Sequence, residues 1–156
     1  MQDGRGFIID AHEGFKVKKA SADEIIDMIK DIRPVDKAET ETLTGLSFNM
    51  AVLDIIVTYD FPLRKLTYKG IPLGFGGWDD RGVVWIVLTN EYNNHKIAFL
   101  KWGKRYLKNF LLKKFKVINN VVWKKNVDHV RFLKFFGATF TDIGHDLLLF
   151  TITRGE

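Results

Sequence analysis

The sequence contains no cysteine. That excludes a disulfide scaffold, thiolate metal ligation and a cysteine nucleophile. Its apolar runs are short, none near the ~20 residues a membrane-spanning helix needs, so no membrane partner is expected. The start, MQDGRGFIIDAHEG, has neither the basic beginning nor the long apolar stretch of a secretory signal. The protein is therefore expected to act inside a cell, or inside something assembled there. Gly74-Phe-Gly-Gly77 lacks the Lys-Ser/Thr that completes a phosphate loop. No Gly-x-Ser-x-Gly nucleophile elbow occurs. His12, His95, His129 and His145 are scattered without ligand spacing, so no metal is expected.

What is present is an ordinary globular composition, 46% hydrophobic and 28% charged over 156 residues, which fits one domain. Thirteen Phe and four Trp indicate an aromatic core. Trp78, Trp85, Trp102 and Trp123 read as core residues before they read as base-stacking platforms. The net charge of +5 hides a division. Residues 1–91 carry 11 basic and 15 acidic side chains, and residues 92–140 carry 12 basic and one acidic, Asp128. No acid lies between Lys96 and Lys116. Such a block attracts anions. A phosphate-rich cofactor, nucleic acid or an acidic partner would suit it; the plain alternative is a solvated helix face.

Residues 1–14 show no period and read as an N-terminal arm, leaving 15–156 as the domain. Phe15–Lys19 alternates as a short strand. Ser21-Ala-Asp-Glu24 is a capping box opening a helix that Pro34 stops. A second short helix is expected to end at Gly45. Over 48–58 helix and strand compete, with the helix preferred. Lys65–Lys69 and Ile71–Gly77 predict a hairpin turning at Gly70. Val83–Leu88 is an apolar run suited to a central strand. From Lys96 to Phe115 apolar residues recur every three or four positions, predicting a long helix with Lys101, Lys104, Arg105, Lys108 and Lys113 on its polar face. Gly103 within it costs about 1 kcal/mol against alanine, which implies close approach to a strand. A strand over Asn119–Trp123, a short helix over 127–136 and two closing strands complete an α/β domain with a mixed central sheet and helices on both faces.

This order resembles the GNAT superfamily of N-acetyltransferases. The segment Asn126-Val-Asp-His-Val-Arg-Phe-Leu-Lys-Phe-Phe-Gly137 is similar to its signature N-x-x-A-x-x-L-Y-x-x-x-G, with Asn126, Phe132 and Gly137 in register. Within it, Asn126–Leu133, Phe136-Gly-Ala138 and Leu149-Phe-Thr-Ile-Thr-Arg-Gly155 resemble small internal virion proteins of short-tailed bacteriophages. That likeness implies a role in virion assembly or infectivity, in the virion interior or host cytoplasm, with other virion proteins or a host protein as partners.

The GNAT likeness implies acetyl-CoA as cofactor, its pyrophosphate on backbone amides where the fourth strand enters the long helix. Leu88, Asn93, Asn94, Lys96, Ala98 and Asn126 fall on the cofactor-binding positions, and Glu91 stands where a general base would sit. The departures are specific. Asn94 and Lys96 occupy positions where glycine usually lets the backbone approach phosphate. Leu133 occupies that of a Tyr general acid, and leucine donates no proton. Weak or no acetyl-CoA binding is therefore expected, with an active acetyltransferase and a non-specific DNA-binding module, using the lysine-rich face, as the rival functions. His95 and His129 could shuttle a proton or contact an anion, but lone histidines more often end helices or sit on surfaces.

Overall fold

Phe15–Lys19 is a strand, as its alternation predicts, and its inward residues Phe15 and Val17 are buried. The structure is a computed structural model and describes residues 8–58 and 63–155. In chain order the elements are β1 (Ile8–His12), β2 (Phe15–Lys19), α1 (Ala22–Ile29), α2 (Pro34–Thr44), α3 (Phe48–Thr58), β3 (Arg64–Tyr68), β4 (Ile71–Trp78) and β5 (Val84–Leu88). A 3-10 segment, Asn90–Asn94, precedes α4 (Lys96–Tyr106). That helix runs on through a π-helical segment, Leu107–Leu111, into α5 (Leu112–Lys114). β6 (Val117–Trp123), α6 (Val127–Phe135), β7 (Thr139–Gly144) and β8 (Leu147–Thr153) follow. Contacts divide the chain into two units, Met1–Gly77 with Ile86–His95 and Trp78–Trp85 with Lys96–Glu156. The chain passes between them inside β4, again inside β5 and a third time between His95 and Lys96.

In the first unit β1 pairs with β2, β2 with β3 and β3 with β4, all antiparallel, and the ladder ends at β5. The sequence reading left residues 1–14 as an arm. Residues 1–7 lie outside the described residues, while Ile8–His12 form β1, turned back on β2 by Glu13 and Gly14 at positive φ. The strand escaped notice because its side-chain pattern has no clean alternation; backbone pairing defines it. The Ser21 capping box forms as predicted: Glu24 N donates to Ser21 Oγ, and Ser21 N donates to the Glu24 carboxylate. That bond and Lys65 hold the Glu24 carboxyl below its ordinary value. α1 ends at Ile29 with Lys30 as its cap, short of the proline expected to stop it, and Pro34 instead opens α2, as its fixed φ allows at a first helical position. Gly45 closes α2 in the left-handed region. The ambiguous 48–58 segment is the helix α3, packing Phe48, Ala51 and Val52 inward. Gly74 of β4 is needed because a Cβ there would stand 2.3 Å from the Val87 carbonyl oxygen.

In the second unit β8 lies between β6 and β7, antiparallel to both. Ile118, Val122, Phe150 and Ile152 are buried, and alternate positions face outward. Val83 and Asn119 form a parallel bridge. Asn120 extends it, its Nδ2 donating to the Val84 oxygen at 2.9 Å while its Oδ1 accepts from Val121 N. β5 thus ends its ladder of five instead of sitting inside it, and this Asn120 bridge meets its first residue. The long helix buries Phe99, Trp102 and Tyr106, with Trp102, Tyr106, Phe110 and Trp78 in successive ring contact at 4.9, 5.1 and 5.5 Å. The close neighbour of Gly103 is the Phe136 ring, 2.5 Å from where a Cβ would sit, and not the strand expected from sequence.

Candidate functional site

The stretch from the last residue of β5 into the first turn of α4 carries most of the residues that the sequence assigned to acyl-CoA chemistry. In the first unit Leu88 is fully buried. Its N–H donates to Asp36 Oδ2 at 2.6 Å, and its carbonyl accepts from Arg33 N at 2.9 Å. Asp36 is itself fully buried and lies 3.6 Å from the Arg33 guanidinium, which sits 5.1 Å over the Tyr92 ring. Ile32 and Thr89 form an isolated antiparallel bridge, so the α1–α2 connection pairs with the chain at the end of β5 at that one point. Asn90 N donates to the Asp31 carbonyl, Tyr92 N to Thr89 O, and His95 N to Tyr92 O. Leu88, Asn90, Tyr92 and His95 therefore already spend their amides inside the chain.

Glu91, Asn93 and Asn94 are exposed. Asn94 Nδ2 approaches Glu91 Oε2 at 3.5 Å, and His95 Nε2 stands 3.8 Å from the same oxygen. The His95 ring meets the edge of Tyr68 at 5.1 Å. A carboxylate beside an imidazole is the one acid–base arrangement among these residues. The remaining sequence-predicted positions, Lys96, Ala98 and Asn126, belong to the second unit. Lys96 Nζ lies 3.3 Å from Asp128. Asn126 is fully buried at the start of α6, where its carbonyl accepts from Val130 N. Leu133 and His129 are buried in the second unit, with His129 against the Phe132 ring at 4.8 Å. Among the described residues no cluster of His, Asp or Glu could hold a metal ion.

The lysine-rich face lies on α4 and its continuation. Lys101, Lys104, Lys108 and Lys113 are exposed and Arg105 half-buried. Lys104 Nζ sits 5.0 Å over the ring of Phe135 on α6. Arg131 and Lys134 of α6 are also exposed.

Sequence reasoning missed Arg33, Asp36 and Asn120. An acidic residue in a Thr-rich helix reads as solvated, and nothing local tells that Asp36 meets an amide 52 positions away.

The chain matches the family model described as Bacteriophage T7, probable scaffold protein Gp13, over residues 64–143. It is 33% identical over 97 residues to the probable scaffold protein gp13 of Escherichia phage T7, an alignment covering 58% of this chain and 69% of that protein. Among solved structures it is similar to the GNAT domain of S. lividans PAT, with TM-score 0.64 and 10% identity over 89% of this chain and 90% of that one. It is also similar to yncA of Salmonella typhimurium, solved with acetyl-CoA, with TM-score 0.54 and 14% identity over 92% and 95%. At such identities the likeness concerns the fold, and the fold is the GNAT fold that the element order predicted.

Proposed function

The chain belongs to the family of the bacteriophage T7 probable scaffold protein Gp13, and on that footing we propose that it serves virion assembly by binding, without acyl transfer. The family match over residues 64–143 carries the assembly role. Its partners are other virion proteins or a host protein, met in the host cytoplasm or the virion interior. The state of the β5 turn supports the absence of acyl chemistry. The resemblance asks Leu88–Ala98 to offer amides to a pyrophosphate, and the amides of Leu88, Thr89, Asn90, Tyr92 and His95 are engaged within the chain. Lys96, the cation best placed in sequence for a phosphate, has Asp128 beside it, and a buried Leu133 stands at the acid position. These residues do not fit the cofactor, and no step is routed through it.

Isothermal titration with acetyl-CoA tests the reading. No saturable heat is expected, and no thermal shift; a ligand at 100 times its dissociation constant would add ~2.7 kcal/mol of stability. A low-micromolar constant would revive the acetyltransferase reading, which rests on the Glu91–His95 pair. Glu91→Gln should then abolish turnover while leaving binding intact. On the assembly side, phage deprived of this chain should yield particles of altered protein composition or lowered infectivity, and normal particles would remove the role.

A further inference from the structure

Two exposed surfaces remain, one in each unit, that the folded chain leaves uncovered. The first is on α3. Eight of its eleven residues are apolar and its single charge is Asp54. Phe48, Ala51 and Val52 face inward, yet Met50, Leu53 and Val57 are 56%, 45% and 82% exposed. With Leu46 just before the helix, 42% exposed, they recur at spacings of four, three and four. That is the seam spacing by which one helix packs on another. Exposed apolar residues aligned in one row point to an interaction site more than singly scattered ones do. Its margin is acidic: Glu41 accepts from Phe48 N at the start of α3, and Asp54 adjoins the stripe. Residues 21–58 hold eight acids and three bases.

The second surface is on α4 and α6. Ile97, 71% exposed, begins a row continued by the exposed Lys101, Lys104 and Lys108, again at spacings of four, three and four. Lys104 over the half-exposed Phe135 joins this row to α6, where Arg131 and Lys134 add cations. Apolar anchors among cations on one surface face apolar anchors among acids on the other. Two copies of either surface would bring like charges together, whereas one of each brings opposites. Nucleic acid would satisfy the lysines and leave the α3 stripe bare. A second copy of this chain uses both.

We propose that the chain associates head to tail, the α3 stripe of one copy seating on the α4–α6 surface of the next. Such a contact joins unlike surfaces: made in one direction it leaves a free surface at each end and extends into a ring or filament, and made in both directions between the same two copies it closes as a dimer. The inference stands apart from the assembly role, since self-association can hold whether or not the protein is needed in virions.

Sedimentation velocity on the full chain tests it. Mass should rise with concentration at about 50 mM salt, and association should weaken severalfold at about 500 mM, where surface charges are screened. A stripe variant, Leu53→Lys with Asp54→Lys, and a basic-surface variant, Lys101→Glu with Lys104→Glu and Lys108→Glu, should each remain monomeric alone. Mixed in equal amounts they should form a complex that stops at two, because each retains only one working surface. Met50→Gln with Val57→Gln, a milder change, should weaken association at least tenfold and serves if the charge swap disturbs folding. A wild-type chain that stays monomeric at low salt overturns the proposal. So does a basic-surface variant that associates as the wild type does, which would mean stripe against stripe, or a mixture that yields no complex.

Discussion

Asp36 is the residue on which the β5 turn depends. It is a carboxylate with no exposed surface, facing a buried guanidinium and accepting from the Leu88 amide. Removing one member of a buried ion pair typically costs about 3–5 kcal/mol, because the other charge stays buried. Asp36→Ala should lose that much in urea denaturation; Asp36→Asn, which keeps an acceptor for Leu88 but removes the charge facing Arg33, should recover only about 1 kcal/mol of it. Asp79 gives the contrasting surface case. Burial works to raise its carboxyl, but hydrogen bonds from the Arg81 side chain and from the amides of Arg81 and Val83 outweigh it and hold the group below 3.8. A lowered carboxylate stabilises fully above its unfolded value and ceases to as pH falls through the folded one. Asp79→Ala should therefore cost about 1–2 kcal/mol at neutral pH. That gap to the wild type should close as denaturation is followed below about pH 4. At this scale the sequence reads unevenly. Ser21 and Glu24 announced their reciprocal bonds because the motif is local. Arg33, Asp36 and Asn120 were silent because their partners are distant in the chain.

Elements were legible where one period dominated. The alternation of Phe15–Lys19 and the three-and-four spacing after Lys96 each became the predicted element, and the apolar run before Leu88 became a strand, though at the end of its ladder. α3 was ambiguous for a physical reason: apolar on nearly every side, it offers no face to mark a period. β1 was missed because pairing alone makes it a strand. Two glycines show how neighbours decide the cost of one methyl group. At Gly74 a Cβ would meet the Val87 carbonyl oxygen at 2.3 Å, a backbone atom held in the sheet. At Gly103 it would meet the rim of the Phe136 ring at 2.5 Å, a side chain with some freedom to turn. Gly74→Ala should cost more than about 2 kcal/mol, as forced overpacking does. Gly103→Ala recovers up to ~1 kcal/mol of helix propensity and should lose only about 1 kcal/mol net. Phe136→Leu should rescue the second variant and not the first, as thermal denaturation of the four proteins would show.

For the whole molecule, the division of charge along the chain survives folding as two differently charged units. If the lysine-rich face also meets DNA, retention at low salt should be lost on replacing Lys104, Arg105 and Lys108 together by Glu. Affinity should fall with a log–log slope of about −0.9 per phosphate neutralised, and the same lysines cannot serve DNA and a second copy at once. The order of strands bears on synthesis. β8, the strand nearest the C-terminus, is the middle member of its sheet, and β6 and β7 meet only through it. A nascent chain emerging from the ribosome therefore holds both flanking strands before it holds the one that joins them. Val84 likewise waits 36 residues for Asn120. A stop codon just after His145 would remove the centre of that sheet, leaving β7 without its ladder partner and β6 with only its bridge to Val83, so even a small C-terminal truncation should be damaging.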